Sequence, residues 1–335
     1  MEKNHRARLE RGSHKMSLFR TVKGYFCKKS MWVRRTYYSA WTVTERQHRT
    51  SNKCKVNKGI KSILTLFSMF SRKIYSKITG KSEIIYMEFV ITTKCTLKCR
   101  DCANLMQYYE QPYNIPVEKL IGYFDKLLNV FDYIYILNVL GGEPFIHPQL
   151  SLFLSHICSS PKIGEIRLVT NGTLIPDEET LSVLCGNKKI VVYISDYRAA
   201  SDKKAELEEI FNKYKIRHRI LFSDEDWVDY GNMRARGRSS KELKEIFSGC
   251  RTPLCQSYLN GEFHFCPRSS AGTDLGIVPR KEADYVDIGK LDSKEARRQM
   301  KRFLKRTRFV RACDYCNQSH SLPLKIAEPG IQMEG

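Results

Sequence analysis

From residue 84 to residue 222 the sequence alternates short apolar, β-branched runs with amphipathic stretches, and this alternation restricts the fold more than any other feature. The runs are Ile84–Ile91, Tyr133–Val139, Glu165–Thr170, Lys189–Ser195 and Ile216–Phe222. Helical patterns at about Val117–Val130, Gln149–Cys158, Asp177–Leu184 and Asp202–Tyr214 lie between them. Strands alternating with helices build βα units, whose strands pair in parallel through right-handed crossovers. A closed eight-stranded barrel needs roughly 250 residues, and only about 165 separate Ile84 from Cys250. The expectation is therefore an α/β chain with a partial (β/α)6 TIM-like barrel over residues 84–235. Beyond Cys250 the alternation stops. Gln256–Asn260 and Glu262–Cys266 flank an Asn260-Gly261 hairpin turn, and residues 293–307 read as a basic helix. Residues 240–320 are expected to form a small C-terminal α+β module, followed by an irregular tail over 321–335.

The net charge of +21 is unevenly spread, because residues 1–80 hold 20 Lys and Arg against 3 acids. Residues 1–58 show no sustained periodicity and read as a loose basic arm. In residues 60–78, Ile60, Ile63, Leu64, Phe67, Ile74 and Ile78 share one helical face. This stretch is too charged to span a bilayer. It suits peripheral contact with an anionic membrane surface, or packing on the barrel. It is also compatible with a true start further along, at Met16, Met31 or Met69. The rest of the chain is close to neutral, so nucleic acid is not an expected partner. Trp32, Tyr37, Tyr38 and Trp41 in the basic arm are the residues that would favour one.

The first 60 residues lack the apolar core of a signal peptide, and the expected location is cytoplasmic. Twelve cysteines is a high count, and eight of them fall into tight groups: 95/99/102, 250/255/266 and 313/316. Thiols two to four residues apart converge readily on metal, whereas disulfide frameworks join distant positions. Cys27, Cys54, Cys158 and Cys185 stand alone and read as ordinary thiols. Cys95, Cys99 and Cys102 directly follow the first strand, at the edge where open parallel sheets bind ligands. By spacing, an iron–sulfur cluster and a zinc ion both remain open, although no adjacent His or Cys supplies zinc with a fourth ligand. Lys94, Lys98 and Arg100 favour thiolates there.

The segment Cys95-Thr96-Leu97-Lys98-Cys99-Arg100-Asp101-Cys102 resembles the CxxxCxΦC signature of the radical S-adenosylmethionine (SAM) superfamily. Asp101 replaces the usual aromatic residue. The resemblance implies that Cys95, Cys99 and Cys102 hold a [4Fe-4S] cluster with one iron open to SAM, and places the Asp101 backbone near the adenine. Gly141-Gly142-Glu143, after the second strand, resembles the motif that holds the methionyl ammonium, a charge-assisted contact. By spacing alone the same residues make a tight turn. Asn171 in Thr170-Asn171-Gly172, and Ser195 with Asp196 at the fourth strand end, are the further SAM-binding candidates. Capping of the next helix is the competing role for Ser195 and Asp196.

Cys250, Gly261, Cys266 and Cys313-x-x-Cys316 resemble the twitch and SPASM modules, which hold auxiliary clusters. The resemblance implies a second [4Fe-4S] cluster, with a structural zinc site as the alternative. Cys255 competes with Cys250 for the first ligand position. The reaction implied is reductive cleavage of SAM, then abstraction of a substrate hydrogen. An external low-potential electron donor of flavodoxin or ferredoxin type would serve it. The expected substrate is a sugar- or cyclitol-like small molecule, oxidised or epimerised. The alternative is a peptide or protein, as in radical SAM maturases. No residue is identified as a catalytic acid or base.

Overall fold

The computed structural model describes residues 82–222 and 227–333, all within one unit spanning residues 72–335. The basic arm, the helix read over 60–78, Cys27 and Cys54 lie outside the described residues. Five βα-type strands follow one another: β1 (Glu83–Val90), β2 (Tyr133–Leu140), β3 (Ile163–Thr170), β4 (Ile190–Asp196) and β5 (His218–Phe222). Between them run helices α1 (Val117–Val130), α2 (Leu150–Ser159), α3 (Glu178–Gly186) and α4 (Lys204–Lys213). Then come α5 (Ser240–Ser248), β6 (Ser257–Leu259), β7 (Glu262–His264), α6 (Pro267–Asp274), β8 (Tyr285–Asp287) and α7 (Ser293–Arg306).

The strands make one sheet in the order β5-β4-β3-β2-β1-β6-β7-β8. Pairing is parallel from β5 through β1 to β6, and antiparallel from β6 to β8. The chain is thus α/β, with the parallel sheet of a partial barrel and an antiparallel C-terminal extension. The sixth parallel strand is not a further βα unit beyond β5. It is the first arm of the Asn260-Gly261 hairpin, laid on the open edge of β1, where Glu88 N donates to Gln256 O at 2.8 Å.

Packing explains why these elements form. Val117, Leu120, Phe124, Leu127 and Val130 bury one stripe of α1 at three- and four-residue spacing. Phe89 of β1 meets Phe124 of α1, Phe153 of α2 and Tyr258 of β6 with ring centroids 5.2–6.3 Å apart. Each such buried ring contributes roughly 1.5–3 kcal/mol, and this cluster ties the hairpin to the barrel. Successive strand residues point to opposite faces. The face away from the Phe89 side therefore carries Glu88, Asn138 and Arg167, which stand in register across β1, β2 and β3. Asn138 donates to the Tyr86 hydroxyl at 2.7 Å, and Arg167 lies 5.0 Å from the Tyr193 ring.

Because β1 to β4 are parallel, their C-terminal ends (Val90, Leu140, Thr170 and Asp196) open onto one edge of the sheet. The loops that follow lie side by side there. Among the described residues no helix is long and apolar enough to cross a membrane.

Candidate functional site

The loop after β1 is fastened to the loop after β2. Gly142 N donates to Thr92 O at 3.0 Å, and Glu143 N to Lys94 O at 2.8 Å. A Cβ on Gly141 would collide with the Thr92 carbonyl, and one on Gly142 with the Lys94 carbonyl and Cys95 Cβ. The close approach that the two glycines permit is to the backbone of the cysteine loop itself. Burial pushes the Cys95 thiol up to about 12, opposed by the Leu97 N–H and reinforced by Cys102, Glu143 and Cys99. Cys99 rises to about 11 through burial, against a hydrogen bond from Gln332. Cys102 is raised by burial, and the charge of Arg268 pulls it back. The three thiols thus share one low-dielectric neighbourhood and interact electrostatically. Among the described residues no three Cys, His, Asp or Glu side chains close on a single metal ion. A four-iron cluster asks for wider spacing than one ion, since each thiolate binds a separate iron.

Glu143 is fully buried. Its carboxylate accepts from Phe145 N at 3.1 Å, Thr170 Oγ1 at 2.9 Å and Asn171 N at 2.8 Å. A carboxylate offers about four lone-pair sites, so one is left. Burial lifts the Glu143 pKa to about 7, against those three hydrogen bonds. The group is half-ionised near neutrality and gains from a cation at the remaining site. Asn171 reaches from the β3 end to the cysteine loop: its Nδ2 lies 3.0 Å from Thr96 Oγ1 and 3.6 Å from Cys95 Sγ.

At the β4 end, the Ser195 carbonyl accepts from Ser201 Oγ at 2.9 Å. Asp196 accepts from Arg198 N at 3.0 Å and pairs with Lys204 at 2.8 Å. Burial raises the Asp196 carboxyl, but the Lys204 ammonium and the Arg198 N–H outweigh it, and the net shift is downward. Asp196 thus holds the turn after its strand; the N-cap of the short helix that follows is Tyr197 and that of α4 is Lys203, neither with a side-chain cap bond. Asp101 pairs with Arg100 at 3.1 Å.

Residues 89–221 match the family described as the Radical SAM superfamily. A radical SAM domain therefore occupies this part of the chain. The chain is 28% identical over 138 residues to the antilisterial bacteriocin subtilosin biosynthesis protein AlbA of Bacillus subtilis, covering 40% of this chain and 30% of AlbA. It is 21% identical over 181 residues to the GTP 3′,8-cyclase of Aliarcobacter butzleri, covering 51% of this chain and 53% of the cyclase. It therefore spans about a third of the one relative and half of the other. Streptococcus suis SuiB bound to S-adenosylmethionine is similar to 48% of this chain and 39% of its own, with 21% identity and a TM-score of 0.36.

The second cysteine group is also drawn together. Cys266 is pushed up to about 12 by burial and then by Cys316 and Cys250. Cys313 is raised by burial, with Cys266, Cys250 and Cys316 adding to it. Cys250 and Cys316 thus act electrostatically on both Cys266 and Cys313. Burial raises the Tyr230 hydroxyl, and Cys255, Cys316, Glu88 and Cys250 add to it.

Several residues beside the first cysteine group carry no sequence signal of their own. Tyr197 has its hydroxyl raised by burial and by all three thiols of the first group. From the C-terminal tail, Ile331 O accepts from Arg100 N at 2.7 Å, and Met333 N donates to Lys98 O at 2.8 Å. Gln332 Oε1 accepts from Lys98 N at 2.6 Å, and Nε2 lies 3.5 Å from Cys99 Sγ. Asp274, at the end of α6, accepts from the Tyr109 hydroxyl at 2.9 Å and the Tyr113 hydroxyl at 2.6 Å. In the tail, the Gln332 side chain, two residues beyond Gly330, is placed against the Cys99 thiol.

Proposed function

We propose that Cys95, Cys99 and Cys102 hold a [4Fe-4S] cluster that binds SAM, and that Cys250, Cys266, Cys313 and Cys316 hold a second [4Fe-4S] cluster, in an enzyme that oxidises or epimerises a sugar- or cyclitol-like small molecule. The observation that carries this reading is the pair of thiol groups, each with mutually interacting members. Three thiols at the open sheet edge fit a cluster with one free iron, and four at the hairpin fit a fully ligated one. When bound, the first cluster and SAM supply a 5′-deoxyadenosyl radical, with the electron drawn from a flavodoxin- or ferredoxin-type donor. The chain's own residues bind and orient: Glu143 receives the methionyl ammonium, Asn171 pins the cysteine loop, and the tail covers it.

Small-molecule chemistry is supported by the likeness to GTP 3′,8-cyclase, whose named substrate is a sugar-bearing nucleotide. The sequence of residues 1–80 also lacks the strand pattern of a peptide-binding domain. The second reading, a peptide-modifying maturase, is favoured by the likeness to AlbA, named for bacteriocin biosynthesis.

Anaerobic reconstitution tests the two-cluster reading. The chain is expected to bind about eight irons and to release 5′-deoxyadenosine from SAM on reduction. Cys250→Ala is expected to lose the second cluster while Cys255→Ala keeps it, read by iron content and electron paramagnetic resonance (EPR). Two zincs and no SAM cleavage would sink the reading.

Glu143 gives a separate test. Glu143→Gln is expected to weaken SAM binding about 10- to 100-fold, the loss of one charge-assisted hydrogen bond of about 1.5–3 kcal/mol. The carboxyl is neutral below a pKa of about 7 and anionic above it. SAM affinity should therefore rise as pH climbs through that value, and the Gln variant should lose this dependence. Equal pH profiles for the two proteins would remove Glu143 from the ammonium site.

A further inference from the structure

Three arginines surround the loop Cys313–Cys316. Arg238 Nη1 donates to Cys313 O at 2.7 Å, Cys316 O at 3.0 Å and Asp314 O at 3.4 Å. Arg236 Nη1 donates to Asp314 O at 3.0 Å. Arg268 Nη2 donates to Tyr315 O at 3.0 Å, and also to Gly231 O at 2.9 Å and Met233 Sδ at 2.8 Å. All four carbonyls of the loop thus accept from a guanidinium.

The arginines lack the usual counter-charges. Asp314 is the nearest carboxylate on the loop, and it accepts from the backbone N–H groups of Arg236, Gly237 and Arg238 at 2.9–3.1 Å. Among the described residues none of the three guanidiniums makes an ion pair with a carboxylate. Arg268 is buried, with 4% of its surface exposed, and its Nε has no hydrogen-bond partner. Buried charge of one sign costs several kcal/mol per ion unless an opposite charge offsets it. Arg236 and Arg238 are half-buried, with Asp314 and Glu242 near them; for the buried Arg268 the thiolates are the groups able to offset it. Four thiolates on an oxidised four-iron cluster carry a net charge of −2, and one added electron makes it −3.

We propose that Arg236, Arg238 and Arg268 form a cationic clamp that sets the reduction potential of the cluster held by Cys250, Cys266, Cys313 and Cys316, and that Arg268 also acts on the first cluster. The inference rests on the two-cluster reading above. Net charge and nearby hydrogen bonds are what a protein uses to tune such a cluster. Positive charge stabilises the reduced, more negative form and raises the potential. The second half of the proposal comes from Met233. It accepts from Arg268, and it packs on the apolar cluster of Leu105, Met106, Tyr109 and Ala271, against which Cys95 and Cys102 also pack. Arg268 therefore reaches, through Met233, the apolar cluster on which the first thiol group rests. Arg238 donates to the second group's loop, and Arg236 to that loop and to Arg234 O at 3.1 Å. These are positioning residues: they touch the protein around the cluster, not the substrate.

The test is a potentiometric titration of the full chain, with dithionite as electron source and EPR as readout. A Cys95→Ala, Cys99→Ala, Cys102→Ala background isolates the second cluster. In it, Arg268→Gln is expected to move the midpoint to more negative potential with iron content unchanged. Arg268→Lys is expected to restore most of the shift, because it keeps the charge and loses only the fork geometry. With the first cysteines intact, Arg268→Gln should also lower the midpoint of the first cluster, whereas Arg238→Gln should leave that one in place. A midpoint unmoved by Arg268→Gln, with the cluster present, overturns the clamp and leaves the two-cluster reading standing. A parent chain that takes up zinc at the second group, or only about four irons in all, overturns that reading and the clamp with it. The iron content of the parent and the midpoint of the variant thus separate the two failures.

Discussion

Replacing Cys95 with alanine is expected to abolish release of 5′-deoxyadenosine from SAM and to remove about half of the iron, leaving the second cluster in place. The magnitude follows from ligation: a site with only three thiolates has none to spare. The fold should survive. Cys95 Sγ receives only long contacts, from Leu97 N at 3.4 Å and Asn171 Nδ2 at 3.6 Å. Alanine also keeps the Cβ that packs over Gly142. The thiol is half-buried and raised to about 12, so without metal it stays protonated and its loss uncovers no buried charge. Thermal unfolding of the metal-free variant should therefore match that of the metal-free parent. Iron assay, EPR and chromatography of 5′-deoxyadenosine check the rest. A Cys95→Ala chain that still cleaves SAM would refute the ligand assignment.

The legible parts of this fold are those whose signal is local. The amphipathic stripe of α1 and the β-branched runs of β2 and β4 declare themselves within a few residues, and the Asn260-Gly261 turn does so in two. Pairing across distance is less legible. Glu143 and Asn171 each stood out at a strand end, but their mutual hydrogen bond joins residues 28 apart and depends on β2 lying beside β3. The glycines at 141 and 142 read by spacing as a tight turn, and what requires them is the close approach of the Thr92 and Lys94 carbonyls from another loop. Helix α6 had no visible pattern because it is buried on nearly every side, from Pro267 to Thr273, so no polar face marks its period. Spacing also left Cys250 and Cys255 as rivals for one ligand position. The choice of Cys250 in the proposed cluster follows its electrostatic influence on Cys266 and Cys313, which sequence distance could not reveal. The three arginines of the clamp read only as charge along the chain, since their partners are backbone carbonyls that carry no residue identity.

A chain ending at Glu328 is expected to hold its first cluster loosely and its second one normally. Residues 321–333 look irregular in sequence, and in the structure they form only isolated bridges, yet they follow a defined course. Asp229 N donates to Lys325 O at 3.0 Å, Ala327 N to Trp227 O at 3.1 Å, and Glu328 pairs with Arg198 at 2.8 Å. Gly330, at φ 73°, turns the chain against Tyr197, where a Cβ would strike the tyrosine side chain. Residues 331–333 then lie antiparallel to the cysteine loop, with Gln332 bridged to Cys99. The two backbone hydrogen bonds there and the one from Lys98 N to Gln332 are worth about 0.5–1.5 kcal/mol each. Their loss removes a few kcal/mol of local order from the segment that carries Cys99. The truncated chain should surrender iron from the first site to a chelator at least about 10-fold faster, the rate equivalent of 1.4 kcal/mol, and cleave SAM more slowly. Gln332→Leu should fall between parent and truncation, because it keeps the backbone pairing and loses the contacts to Lys98 and Cys99. The second cluster provides the internal control, since its loop receives none of these bonds. Equal chelation rates at the first site in parent and truncated chains would show that the tail only rests on the loop.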